Sequence, residues 1–114
     1  MVNKWDIYYC ALDPARGSEQ RGKRPVLVVS NDVVNHLLPV LTVLPLSSFK
    51  QGGKIYPSEV LLPSSITGLP KNSIAMVQQV RTIPNSRLSE FAGRLEDDDA
   101  REAIREAIRT YFEV

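Results

Sequence analysis

The feature that most constrains the fold is residues 26–29, an uninterrupted run of Val26, Leu27, Val28 and Val29. Such a run of aliphatic and β-branched side chains is typical of a strand that is buried on both faces. Pro25 comes directly before it, and a proline suits the first residue of a strand, where a missing N–H costs least. The run therefore predicts the most buried strand of the chain, starting near Pro25.

The residues just before this strand have the opposite character. Residues 16–24 hold four cations against one acid, Glu19, and two glycines, Gly17 and Gly22, allow sharply turned backbone there. The four cations are Arg16, Arg21, Lys23 and Arg24. This pattern predicts a flexible loop, rich in hydrogen-bond donors, that is held by a rigid strand and suited to grip an anion such as a phosphate backbone.

Composition limits the class of protein. The chain has 114 residues, 43% of them hydrophobic and 24% charged, which fits one domain over residues 1–114 with one core. No window approaches the roughly 18 to 20 apolar residues that span a bilayer, so no membrane partner is expected. Cys10 is the only cysteine, which excludes an internal disulfide and favours a reducing cytoplasm. With a single histidine, His36, the chain also offers few zinc ligands, and no metal or other cofactor is expected.

Turn signals divide the chain into short elements. Strands are predicted at residues 6–12, 26–30, 40–44, 55–62, 72–83 and 90–95, and one short helical turn at 33–38. Pro45, inside an apolar run, predicts a strand end or a bulge, after which residues 46–48 leave the core.

The surest helix covers residues 97–112. Its apolar residues recur at the spacing of one helical face, and acids at its start complement the helix dipole. That face is predicted to be core and consists of Ala100, Ala103, Ile104, Ala107, Ile108, Tyr111 and Phe112. Many short strands followed by one helix predict a mainly β fold, namely a small, strongly bent antiparallel sheet or partial barrel closed by a C-terminal helix.

Four stretches together resemble the MazF/PemK family of toxin endoribonucleases. Residues 17–32, GSEQRGKRPVLVVSND, resemble the family's signature loop and strand, and residues 6–14, DIYYCALDP, its opening strand and Asp-Pro turn. Residues 43–48, VLPLSS, resemble its second active-site segment, and residues 78–83, QQVRTI, its closing half. The resemblance covers nearly the whole chain.

The resemblance implies an SH3-like small β-barrel with a C-terminal helix, of the type shared by MazF and CcdB toxins, working as a homodimer. It implies cleavage of single-stranded RNA without metal, in a type II toxin–antitoxin pair whose antitoxin has a flexible acidic tail. The family's key arginine falls on Arg24 and its key threonine on Ser47. An acidic residue often found in the family is replaced here by Gln78.

Each candidate residue also has a plainer interpretation. Arg24 can stabilise charge on a phosphate or be a solvated loop arginine, and Ser47 can bond the phosphate or 2′-oxygen or end a strand. Glu19 can orient Arg24, receive a proton or only offset its basic neighbours, and Gln20 can bond a base edge, although we favour a role in loop structure. A structural or surface role is favoured for His36.

The remaining candidates concern RNA contact. Gln78, Gln79 and Arg81 are predicted to lie on one long strand, where Gln79 and Arg81 share a surface that could line an RNA groove. Trp5 and Tyr8 could stack bases, but packing in the core or a dimer is favoured.

Two other functions stay open at this point. One is an SH3-like nucleic-acid-binding module without catalysis, in which Arg24 only grips phosphates. The other is a CcdB-like gyrase-poisoning toxin, which shares the fold; that family depends on a terminal Trp-Gly-Ile, whereas this chain ends in YFEV.

Overall fold

The computed structural model describes residues 1–12 and 23–114. The described residues form seven strands: β1 (Asp6–Ala11), β2 (Lys23–Val28), β3 (Val40–Ser48), β4 (Glu59–Leu62), β5 (Ser73–Met76), β6 (Arg81–Pro84) and β7 (Leu88–Arg94). They also form three α-helices, α1 (Asp32–Leu37), α2 (Ser64–Thr67) and α3 (Asp98–Phe112), and two 3₁₀ turns, Val77–Gln79 and Asn85–Arg87.

All strand pairings in the described residues are antiparallel. Neighbouring strands follow the order β4-β5-β3-β2-β1-β7, and β6 pairs with the first half of β3. The expected mainly β fold with a C-terminal helix is confirmed. The sheet is open in the part of the chain that the structure describes, since no pairing joins the end strands β4 and β7. An open, bent sheet is therefore a better description than the expected barrel.

The strand β2 is buried on both faces, as predicted. Leu27 belongs to a core cluster on the α3 side of the sheet, and Val26 and Val28 belong to a second cluster on the other side. All three are completely buried. Because alternate side chains of a strand point to opposite faces, a four-residue apolar run supplies both clusters at once.

The start of β2 was predicted too late. Lys23 and Arg24 are strand residues that pair with Ala11 and Cys10 of β1, so they are not part of a loop. Pro25 does not mark the start of the strand, because β1 continues to pair with the two residues before it. Pro25 pairs with Tyr9 of β1. The pairing of β2 with β3 begins one residue later, with Val26 opposite Pro45.

Strand β3 also differs from its prediction, because it continues through Pro45 to Ser48. Pro45 lies at the point where β3 stops pairing with β2 and begins to pair with β5, through Leu46 and Ala75. Leu46 is 1% exposed, so it does not leave the core. A proline is tolerated there because the strand changes partners at that residue.

Two other strand predictions were too long. Of residues 55–62 only Glu59–Leu62 is a strand, and residues 72–83 are divided by the 3₁₀ turn Val77–Gln79. The turn lets β5 and β6 pair in succession with the two halves of β3. Gln79 therefore lies on a turn and Arg81 on a strand, so the predicted shared strand face is wrong.

The terminal helix agrees with its prediction except for part of its apolar face. Asp97 caps α3, its carboxylate accepting the N–H of Ala100 at 2.8 Å. Ile104 is completely buried, but three residues of the predicted core face are exposed: Ala103, Tyr111 at 46% and Phe112 at 51%. Phe112 still lines a cleft together with Thr42 and Leu44 of β3, so the last turn of α3 lies beside the sheet but is only partly covered by it.

Candidate functional site

Arg24 and Ser47 lie on the same side of two neighbouring strands. The β2–β3 pairing ends with Val26 opposite Pro45. Arg24 lies two residues before Val26 and Ser47 two residues after Pro45, in the same direction across the antiparallel pair. Two residues is one period of a strand, so both side chains belong to the face that carries Val26. Ser47 lies within β3, one residue before its end, and pairs with Ile74 of β5.

The Ser47 hydroxyl is weakly bonded in the described residues. Its Oγ donates to the Sδ of Met76 at 3.9 Å, and the residue is half-buried. A thioether sulfur is a poor acceptor, so exchanging it for a phosphate oxygen costs little. Ser47 can therefore turn its proton toward an anion that reaches this face.

Arg81 and Arg87 bring further positive charge to the same end of β1. Arg81 pairs with Val43 of β3, and its Nη1 donates to the carbonyl oxygen of Leu12 at 3.5 Å. Burial raises the pKa of the Cys10 thiol, and the charges of Arg87 and Arg81 partly oppose that rise. Since Arg24 pairs with Cys10, three arginines surround one strand end. Arg87 was missed from the sequence because nothing local links it to residue 10.

Gln78 is held by β4 and the residue before it. Its Oε1 accepts a hydrogen bond from the Ser58 Oγ at 2.8 Å, and its Nε2 donates to Glu59 Oε2 at 2.6 Å. Glu59 thereby places a carboxylate beside the position where the resemblance expects one. Sequence reasoning missed Glu59, because the contact depends on β4 pairing with β5.

The other predicted RNA contacts differ in how accessible they are. Lys23 forms an ion pair with Glu90 at 3.0 Å, in which the two side chains are 57% and 65% exposed. An exposed pair of this kind is worth at most about 1 kcal/mol, so Lys23 can exchange Glu90 for another anion. Gln79 is exposed at the end of its 3₁₀ turn. The candidates Arg16, Glu19, Gln20 and Arg21 lie outside the described residues.

A cleft of about 230 Å³ opens beside Arg24. Its walls come from β1, β2 and the end of β3 on one side and from residues 69–73 on the other. Ser48, rather than Ser47, lines this cleft, as alternation along β3 requires. Arg24 also borders the cleft, but alternation along β2 places its side chain with Ser47, on the face opposite to Pro25 and Ser48.

Three residues considered from the sequence have structural contacts instead. The Nε2 of His36 lies 3.1 Å from the carbonyl oxygen of Val2 and 3.0 Å from Asn3 Oδ1, which ties α1 to the N-terminal segment. Trp5 is 5% exposed within the core. Tyr8 packs edge-to-face on Phe91, with 5.4 Å between ring centroids. The favoured core packing is confirmed for Trp5, whereas half-buried Tyr8 belongs to neither core cluster and packs on an exposed ring.

Residues 1–12 and 23–114 contain no group of three or more His, Cys, Asp or Glu side chains that could hold a metal ion. No helix in these ranges is long and apolar enough to cross a membrane.

Known proteins resemble this chain in sequence and share its fold. Endoribonuclease EndoA of Bacillus subtilis is 34% identical over 109 residues, covering 96% of this chain and 92% of the relative. Endoribonuclease MazF9 of Mycobacterium tuberculosis is 40% identical over 100 residues, 83% of each chain. A mycobacterial endoribonuclease solved in complex with its cognate antitoxin superposes with a TM-score of 0.81 at 18% identity, covering 100% of this chain and 97% of that one, which shows the shared fold.

The family comparison covers almost the same span. Residues 3–112 match the model of the PemK-like, MazF-like toxins of type II toxin–antitoxin systems. The match includes both strands that carry Arg24 and Ser47, and the helix α3 that closes the core. The chain therefore belongs to the PemK-like and MazF-like family of type II toxins.

Proposed function

We propose that this protein is a toxin endoribonuclease that cuts single-stranded RNA, with the RNA's own 2′-hydroxyl as the nucleophile. The names of its relatives EndoA and MazF9 support the activity. The observation that carries the proposal is the placement of Arg24 and Ser47 on one face of neighbouring strands. We expect this mechanism to work without a metal ion.

The chemistry needs three things from the protein. The 2′-hydroxyl must lose its proton, the extra negative charge on phosphorus must be stabilised, and the leaving 5′-oxygen must gain a proton. Arg24 supplies a planar set of donors for two phosphate oxygens and is assigned to charge stabilisation. Arg81, on the same face, is assigned to binding the RNA backbone, together with Lys23, Gln79, Arg16 and Arg21.

Ser47 is assigned to a hydrogen bond with the phosphate or the 2′-oxygen. Its weak bond to Met76 supports this assignment, because little is lost when the hydroxyl turns to the substrate. Glu19 and Gln20 are proposed to support Arg24 and the loop. Gln78 is proposed to act indirectly, by holding Glu59 in place.

The proposed partners are an antitoxin and a second copy of the chain. A mycobacterial protein of the same fold is an endoribonuclease solved with its cognate antitoxin, which supports an antitoxin for this chain as well. We propose that the antitoxin has a flexible acidic tail, that the toxin works as a homodimer, and that both act in the cytoplasm.

The test is cleavage of a long RNA by the purified protein in excess EDTA. We expect fragments with a 2′,3′-cyclic phosphate or 3′-phosphate and a 5′-hydroxyl, because the 2′-oxygen attacks and the 5′-oxygen leaves. RNA that is bound but intact would point to a binding module instead. Intact RNA together with trapped gyrase–DNA complexes would point to a gyrase poison.

A further inference from the structure

Met76 lies beside the Ser47 hydroxyl, on the face of the sheet to which Arg24 belongs. Ser47 pairs with Ile74 of β5, and Met76 follows Ile74 by two residues, so both β5 side chains share the face of Ser47. The Sδ of Met76 accepts the hydrogen bond from Ser47 Oγ at 3.9 Å. A chemical change at this sulfur therefore changes the acceptor that Ser47 contacts directly.

Met76 lies close to solvent, although most of its side chain is covered. It is 7% exposed and belongs to neither core cluster. On the same face, Leu61 is opposite Ile74 and 37% exposed, and Glu59 is opposite Met76 and half-buried. Because solvent borders this part of the face, an oxidant as small as hydrogen peroxide needs only a small local opening to reach the sulfur.

A thioether is a protein group that peroxides oxidise reversibly. The sulfur attacks one oxygen of hydrogen peroxide, an S–O bond forms as the O–O bond breaks, and the departing hydroxide takes the remaining proton and leaves as water. The sulfur loses two electrons and the peroxide gains them. The product, methionine sulfoxide, has a polar oxygen where the thioether offers only a weak acceptor.

A sulfoxide oxygen on Met76 would compete with RNA for the Ser47 hydroxyl. The oxygen projects from Sδ, so on the Ser47 side it lies closer to Oγ than the present 3.9 Å between Sδ and Oγ. An ordinary O–H···O hydrogen bond spans about 2.5 to 3.0 Å and is stronger than a bond to a thioether. A hydroxyl bonded in this way is no longer free to turn toward a phosphate or a 2′-oxygen.

The other sulfur atoms of the chain do not contact Ser47. Met1, the second of two methionines, is 92% exposed at the N-terminus. Cys10 is completely buried, and burial raises the pKa of its thiol, which keeps it out of the reactive thiolate form. Met76 is therefore the sulfur whose oxidation acts on Ser47.

We propose that Met76 is an oxidative modification site that regulates the toxin: a peroxide converts it to the sulfoxide, which captures the Ser47 hydroxyl and slows RNA cleavage. The inference rests on the proposed function, because it assigns regulation to the same site. In this arrangement the thioether leaves Ser47 available to the substrate, and the sulfoxide withholds it.

The test compares the loss caused by peroxide with the loss caused by removing the hydroxyl. Wild type and Ser47→Ala are treated with hydrogen peroxide and then dithiothreitol, and peptide mass mapping gives the fraction of Met76 sulfoxide. In the wild type we expect single-turnover cleavage to fall by about 10-fold, the scale of one hydrogen bond to a charged group, to the rate of Ser47→Ala. Ser47→Ala itself should lose no further activity on oxidation.

Met76→Leu is the matched control. Leucine has a similar volume, and the variant keeps both Met1 and Cys10. We expect it to cleave RNA at a rate near that of the untreated wild type, before and after peroxide. This result would assign the peroxide sensitivity of the wild type to Met76.

Thermal melting gives a second readout that does not depend on cleavage. In the oxidised wild type the Ser47 hydroxyl satisfies the sulfoxide oxygen, whereas Ser47→Ala leaves that oxygen without this donor. Oxidation should therefore lower the Tm of Ser47→Ala by about 4 °C more than that of the wild type, the scale of one hydrogen bond in a chain of this size.

The outcomes are distinguishable. The modification site would be overturned if Met76 stays reduced while a methionine peptide in the same tube is fully oxidised. It would also be overturned if oxidation leaves wild-type cleavage unchanged, or affects the wild type and Ser47→Ala equally. A wild type that never cleaves RNA, but shows the extra loss of Tm in Ser47→Ala, would instead overturn the proposed function and leave the coupling of Met76 to Ser47 standing.

Discussion

Arg24 carries a positive charge on a residue whose backbone is fixed by the sheet. Its place on β2, two residues before completely buried Val26, fixes its backbone to a strand that is buried on both faces. A guanidinium presented from a backbone held in this way can donate to a phosphate on that face, and such donors stabilise the charge that develops in the transition state. Ser47 shares that face, and its hydroxyl makes a weak hydrogen bond to the sulfur of Met76; as a single neutral donor it should contribute less than Arg24.

We expect Arg24→Ala to lower the cleavage rate by at least about 100-fold, the usual scale for losing one charge-stabilising donor. Arg24→Lys should recover only part of the loss, because an ammonium keeps the charge without the planar pair of donors. Ser47→Ala should lose less than Arg24→Ala, and Ser47→Thr should stay near the wild type. Single-turnover cleavage in EDTA measures all four, with thermal melting as the control for folding. An Arg24→Ala rate within a few-fold of the wild type would place the active site elsewhere.

At the scale of elements, β3 and the 3₁₀ turn Val77–Gln79 organise the site. β3 pairs with β2, β5 and β6, and its passage from one partner to the next carries Ser47 to the end of the sheet. The turn lifts Gln78 out of the ladder and toward Ser58 and Glu59. Strand pairing thus brings together side chains that are distant in sequence, such as Gln78 and Glu59.

The Gln78–Glu59 contact gives a charge-specific prediction. Gln78→Glu should lower the free energy of unfolding at pH 7 by about 1 to 3 kcal/mol, because it sets one carboxylate against another and removes a donor. Protonating either carboxyl restores a donor, so this loss should shrink as the pH falls. Adding Glu59→Gln to Gln78→Glu re-creates an amide–carboxylate pair and should restore stability. Urea unfolding at two pH values measures this, and a pH-independent loss that Glu59→Gln fails to rescue would contradict the contact.

Helix α3 gives a packing prediction. Ile104→Ala should lower the free energy of unfolding by about 2 to 5 kcal/mol, because Ile104 is completely buried against the sheet and its truncation leaves a cavity. The neighbouring exposed residue offers a matched control, and Ala103→Ser should stay within about 0.5 kcal/mol of the wild type. Denaturant melts compare the two variants. Equal, small losses would mean that α3 does not close the core.

At the scale of the whole molecule, the open sheet leaves two end strands, β4 and β7, with a free edge in the described residues. Large apolar side chains are also exposed, among them Val33 and Leu37 on α1, 67% and 76% exposed, and Phe91 on β7, 58% exposed. Unpaired edges and apolar patches favour association, which natural proteins control by pairing or covering them.

We therefore expect a symmetric dimer in solution, with RNA lying in grooves at the interface. Light scattering at micromolar concentration should give a mass near twice 12.8 kDa. A single species of 12.8 kDa across that range would contradict the dimer.

Control by an antitoxin gives the last prediction. An acidic tail and RNA phosphates should compete for the cations at the start of β2, and antitoxin association should weaken with added salt. Reversing the charges of Arg21 and Lys23 to Glu should weaken antitoxin capture while the fold remains, since the Lys23–Glu90 pair is exposed. Reversing Arg105 and Arg109 on α3 is the matched control. Unchanged affinity and salt slope in the Arg21/Lys23 variant would mean that the antitoxin docks elsewhere.

The sequence by itself determined the features that depend on neighbours along the chain. The run of residues 26–29 predicts burial on both faces because strand alternation sends four apolar side chains both ways. The period of α3 predicts the buried positions Ala100, Ile104 and Ala107. Arg24 and Ser47 are candidates from local motifs alone.

Only the tertiary structure decided that Pro45 lies within a strand, that residues 72–83 are broken by a turn, and that Tyr111 and Phe112 remain exposed. The same holds for Glu59 beside Gln78 and Lys71 across the cleft from Arg24. The physical reason is that strand register is set between segments tens of residues apart, and no local periodicity records which segments will pair.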